Sequence, residues 1–106
     1  MIELMRRDAQ SAASAIVDNS NRRVIFFDSS LQETHRFFWN PSPADSFVHF
    51  GDGVDLDKGP VTPTTVEVFH VTYDQAAGLV ILDTLRVRSS AGQRVTLATA
   101  FGLYNQ

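Results

Sequence analysis

Three runs of alternating residues, joined by short connections that end in glycine, close the chain over residues 64–104 and constrain its fold more than any other feature. From Thr64 to Tyr73 the sequence is rich in β-branched and aromatic residues and has no helical stripe. From Leu79 to Arg88, residues Leu79, Ile81, Leu85 and Val87 fall on one face and Thr84, Arg86 and Arg88 on the other, the pattern of a half-wet strand. From Arg94 to Leu103, residues Val95, Leu97, Phe101 and Leu103 share a face, with the small residues Ala98, Ala100 and Gly102 behind them. The connections Asp74-Gln-Ala-Ala-Gly78 and Ser89-Ser-Ala-Gly92 are too short for anything but antiparallel neighbours.

This pattern also predicts partners inside the meander. Asp83 interrupts an apolar face between Ile81 and Leu85, where an unpaired buried carboxylate costs several kcal/mol. If Arg88 pairs with Arg94, the register sets Asp83 opposite Thr99, whose hydroxyl can donate to it. Pairing Tyr73 with Leu79 places Phe69 on its other side. Asp83 and Thr99 are therefore expected to form a structural polar pair.

Upstream, apolar residues Ile2, Met5, Ala9, Ala12 and Ile16 recur at three- and four-residue steps, predicting one amphipathic helix over residues 1–17 stopped by Asp18-Asn-Ser-Asn21. That helix either closes one end of the β domain or docks as an arm on a neighbouring subunit through Ile2, Met5 and Ala9. Arg23 to Asp28 carries Val24-Ile-Phe-Phe27, a short apolar run fitting a strand covered on both faces. Thr34 to Trp39 and Ser46 to Phe50 are two further strand candidates, and Asn40-Pro-Ser-Pro43 between them is unfit for the middle of a sheet.

The expected fold is mainly β: an antiparallel immunoglobulin-like sandwich of six or seven strands with one amphipathic helix at the amino terminus. The alternative is an α+β fold with the helix packed on an antiparallel sheet. At 106 residues the chain reads as a single domain, 1–106, with a helix or arm at 1–17 and a β domain at 22–104. The absence of cysteine excludes disulfides and thiolate chemistry. A net charge of −3 leaves no electrostatic footprint for nucleic acid. No apolar run approaches the roughly 18 residues of a membrane span, and the charged start, Met-Ile-Glu-Leu-Met-Arg-Arg, does not resemble a signal peptide. The expectation is a protein of the cytoplasm or of a virion, without membrane or nucleic-acid partners.

Residues 51–63 form a long connection holding Gly51, Gly53, Gly59, Pro60 and Pro63. Asp52, Asp55 and Asp57 lie within it, with Asp45 just before, and hard cations such as Ca²⁺ take several oxygen ligands of this kind. The spacing departs from the helix-loop-helix calcium site: counting from Asp55, Gly59 and Val66 stand where ligands are needed. The stretch is either a solvated acidic turn or a weak Ca²⁺ site, and no other cofactor is expected. His35, His49 and His70 lie on predicted strands without a spacing that unites them, and no Gly-x-Ser-x-Gly turn presents a nucleophile. An enzyme is therefore not expected.

Phe50-Gly-Asp-Gly53 resembles the Phe-Gly-Asp-Gly signature of polycystic-kidney-disease (PKD) domains. Val24 and Phe26 with Ser29-Ser30 resemble that family's early strand, and His70, Tyr73, Gly78, Val80, Leu82, Val87 and Gly92 its closing hairpin, so the similarity covers about residues 24–92. It implies an immunoglobulin-like sandwich acting as a spacer or binding module. Arg86 and Arg88, projecting beside Thr84 and Thr96, and the aromatics Phe37, Trp39, Phe47 and Phe50 are the residue types of interface centres. Two functional classes follow. One is a structural protein of a homomeric assembly, such as a phage capsid decoration or tail protein. The other is a monomeric domain or inhibitor that recognises a protein or glycan through residues 51–63.

Overall fold

A computed structural model describes residues 1–103; Tyr104, which ends the expected β domain, lies outside the described residues. One short helix, α1 (Ile2–Gln10), precedes seven antiparallel strands in two sheets. The first sheet holds β1 (Ser14–Asp18), β2 (Arg23–Phe27), β3 (Glu33–Phe38) and β4 (His49–Gly51) in that order. The second holds β5 (Thr65–Asp74), β6 (Leu79–Arg88) and β7 (Arg94–Gly102), also in order. Each sheet is thus a meander of consecutive strands, whereas immunoglobulin domains interleave theirs between sheets. The expected sandwich with one helix is present, and its core takes residues from both sheets and from the helix side.

The helix ends earlier than the periodicity predicts. Met5, Ala9 and Ala12 are completely buried, but Ser11 and Ala12 already turn the chain, and residues 14–18 pair with β2 as a seventh strand. Ile16 continues the helical spacing by coincidence. It stands on the outer face of β1, 52% exposed, while Ala15 points into the core. β-branched Ile16 and Val17 favour the extended chain, and strand pairing supplies hydrogen bonds that a further helical turn of small residues has no packing to match. Residues 19–21 then form the β1–β2 turn with three successive left-handed residues, Asn19, Ser20 and Asn21.

Val24, Ile25 and Phe26 on β2 are all buried, as a strand covered on both faces requires. Phe26 packs edge-on against Phe37 of β3 with ring centroids 6.3 Å apart. Asn21 joins the two sheets: its carbonyl accepts the Val71 amide at 2.9 Å and its side-chain amide donates to the Val71 carbonyl at 2.9 Å.

Both hairpins of the second sheet are antiparallel, with Gly78 and Gly92 at positive φ as their short loops demand. The register differs from the simple alternation. Arg88 does pair with Arg94, but a bulge at Asp83 and Thr84 sets Leu82 opposite Thr99. Tyr73 pairs with Val80, and Phe69 with Leu85. The bulge switches the inward phase of β6, so Val80 and Leu82 are buried with Leu85, and Leu79 and Ile81 turn to the other face. Asp83 is thereby expelled from the apolar face. It is exposed, and accepts hydrogen bonds from Thr72 at 3.1 Å and pairs with His70 at 3.1 Å instead of Thr99.

Candidate functional site

The strand edges differ in what covers them. Residues 58–61 run back along β4, with Lys58 donating to the Phe50 carbonyl at 2.7 Å, Phe50 to Gly59 at 3.1 Å and Val61 to Val48 at 2.8 Å. The β5 edge is partly occupied by Ser46, which accepts from Val66, and by Asn21. The carboxyl-terminal half of β7 lies near α1, where Arg6 stands 5.8 Å over the Phe101 ring. From Arg94 to Thr99 the outer edge of β7 has no neighbouring strand among the described residues.

This open edge is also apolar. Val95 pairs with Val87 and Leu97 with Leu85, so both belong to the core-side face of the second sheet. Leu85, on the central strand, is buried, yet Val95 is 52% and Leu97 44% exposed on the edge strand. The opposite face is polar, with Arg86 donating to the Thr96 hydroxyl at 3.3 Å. At the end of the sheet Glu67 takes Arg94 at 2.8 Å on one oxygen and lies 3.8 Å from Arg88 on the other.

Other predicted interface residues are placed elsewhere. Met5 and Ala9 are completely buried in the protein's own core, and Ile2 is half-buried against it. Trp39 is buried, donates its indole N–H to the Ser46 carbonyl at 2.9 Å, and has Arg22 over its ring. Phe37 is buried as well, so these aromatics fill the core and do not form a surface patch.

In residues 51–63 the carboxylates are consumed by the turn itself. Asp52 accepts the amides of Val54 and Asp55 and pairs with Lys58 at 3.2 Å; these contacts hold its carboxyl down to about 2. Asp55 accepts the Asp57 amide, and Asp57 accepts that of Gly59. No group of three or more His, Asp or Glu side chains converges on a cation position among the described residues. Phe50-Gly-Asp-Gly53 itself ends β4 in a tight turn: a Cβ on Gly51 would lie 2.5 Å from the Leu56 carbonyl oxygen, and one on Gly53 2.4 Å from that of Glu33.

Each histidine has its own aspartate. His49 lies between Asp45, at 2.6 Å from Nε2, and Asp57, at 2.9 Å from Nδ1. Partial burial works against its charge but is outweighed by the bonds to Asp57 and Asp45, which raise the imidazole above its usual range. The amide of Phe47 and then His49 lower Asp45; His49, with the amide of Gly59, lowers Asp57. His35 on β3 lies 3.4 Å from Asp8 of α1, which is almost completely buried. Desolvation raises the Asp8 carboxyl above its ordinary value, against the opposing charges of His35 and Arg7, and Asp8 Oδ2 and His35 Nδ1 have no hydrogen-bond partner. Sequence reasoning passed over Asp8, although it stands at the helical spacing of Met5, Ala9 and Ala12 and so on the buried stripe. No sequence signal joins Asp45, His49 and Asp57.

No helix among the described residues is long and apolar enough to cross a membrane. No family model matches the chain, and no curated protein or solved structure matches it.

Proposed function

We propose that this protein is a non-enzymatic structural subunit of a homomeric assembly, joined to copies of itself through the open edge of β7. The observation that carries the reading is the coincidence, over Arg94–Thr99, of an unpaired edge with the half-exposed Val95 and Leu97. Natural sheets ordinarily protect such an edge with charges, proline or a covering segment, as residues 58–61 do at β4. The edge is also self-complementary. Two β7 strands paired antiparallel about Thr96 set Val95 opposite the partner's Leu97 and Arg94 opposite the partner's Ala98. Apolar residues then meet on one face, and the arginines stay apart. A virion part, such as a capsid decoration or tail protein, is the finer form of this reading, because particles of that kind are tiled by repeated contacts of one small module.

Light scattering over a concentration series tests it. The expected result is a defined oligomer that Leu97→Lys converts to a monomer with unchanged circular dichroism. A monomer at every concentration, or an oligomer indifferent to Leu97→Lys and Thr96→Pro, overturns it.

A further inference from the structure

A half-open cavity of about 200 Å³ lies where three segments meet: Phe47, the end of the long connection at Pro63, Thr64 and Thr65, and the β6–β7 turn at Arg88 and Ser90. Its polar groups are only lightly engaged. Glu67 is engaged by Arg94 at 2.8 Å, which leaves Arg88 a single long contact of 3.8 Å. The hydroxyls of Thr64, Thr65 and Ser90 make no hydrogen bond among the described residues. A guanidinium held loosely on one side by Glu67 and three hydroxyls thus line one cavity, beside the ring of Phe47 and that of Pro63.

The geometry points to a binding site for an acidic sugar residue of the hexuronate class, with Arg88 on the carboxylate and Thr64, Thr65 and Ser90 on the ring hydroxyls. Guanidinium is donor-only and matches a carboxylate in its planar fork, while hydroxyls both donate and accept, as a polyol ring does. Phe47 offers the apolar surface on which the C–H face of a sugar rests. The volume is below the roughly 300–1,000 Å³ of sites for drug-sized ligands, so one sugar residue is the fitting unit. An acidic peptide side chain would engage Arg88 but leave the three hydroxyls idle. The site is complete within one chain, so it stands or falls independently of assembly through β7.

The test is titration of the full chain with methyl glucuronide, followed by amide chemical shifts, beside methyl glucoside as the neutral twin and a glutamate-containing tripeptide. The expected result is saturable shifts at residues 47, 64–65 and 88–90 at millimolar ligand, weakened at least tenfold with methyl glucoside and in Arg88→Gln. Ser90→Ala, at an exposed turn position, is expected to weaken binding about threefold. Absence of local shifts at tens of millimolar glucuronide overturns the proposal. So does equal binding of the neutral glucoside, or tighter binding of the tripeptide, which would make the cavity a peptide site.

Discussion

At the scale of single residues, the molecule's unusual chemistry is the pairing of each histidine with an aspartate. In the clamp around His49 the signs are opposed. The raised imidazole contributes order that is fully present below its unfolded value of about 6.5 and is lost as pH rises through its folded value. The lowered carboxylates of Asp45 and Asp57 contribute order that is present above about 3.9 and is lost as pH falls through their folded values. Amide exchange at residues 52–59 is therefore expected to be slowest between about pH 4 and 6.5, after correction for intrinsic rates, with the minimum flattened in His49→Gln. Asp8 behaves oppositely to those carboxylates. Its folded value is raised, so the stability it carries is present at low pH and declines as pH rises from about 3.9 toward that value. Urea unfolding of Asp8→Asn should show that decline removed, whereas His35→Ala, which leaves Asp8 without its facing partner, should cost about 1–3 kcal/mol at neutral pH. A third residue, Leu31, is 76% exposed with φ of 61°. Left-handed backbone costs a non-glycine residue about 1–2 kcal/mol, so Leu31→Gly is expected to raise stability by up to about 1 kcal/mol in the same assay.

At the scale of elements, the long connection after β4 behaves as part of the first sheet. It returns along residues 58–61, and at Gly53 it passes so close to β3 that a Cβ would meet the Glu33 carbonyl oxygen, with φ at 88°. Gly53→Ala is expected to cost about 1–3 kcal/mol, while Gly92→Ala, at an open position, should cost only its left-handed strain of about 1–2 kcal/mol. Thermal denaturation of the two variants compares them. The strands were legible where alternation is regular or a run is apolar throughout, as in β2, β5 and β7. They were misread where two patterns coincide: Ile16 satisfies both the spacing of the helix and the β1 strand, and only pairing with β2 decides. The β6 bulge was equally illegible, since a shift of phase at Asp83 and Thr84 leaves the residue types unchanged and alters which of them face inward. Of the candidate site, the sequence displayed Val95 and Leu97 on one face of the last strand. It carried no sign that they stand exposed on an edge strand, because coverage depends on how elements far apart in the chain come together.

At the scale of the whole molecule, α1 is part of the core rather than an appendage. Met5→Ala is expected to lower stability by about 2–5 kcal/mol, measured by urea unfolding, since its side chain is fully enclosed. Removal of residues 1–17 would take away a paired strand together with the helix, so loss of assembly in such a truncation would report unfolding as readily as a missing contact. The two-meander plan has a further consequence, for the route by which the chain reaches this state. Within each sheet every strand pairs with its neighbour in sequence, so each sheet zips through short loop closures, which are entropically inexpensive and fast. The sheets meet through distant contacts such as Asn21 with Val71. The barrier to folding is then expected to lie in the docking of two nearly formed halves, and substitutions at Asn21 should slow folding more than they speed unfolding.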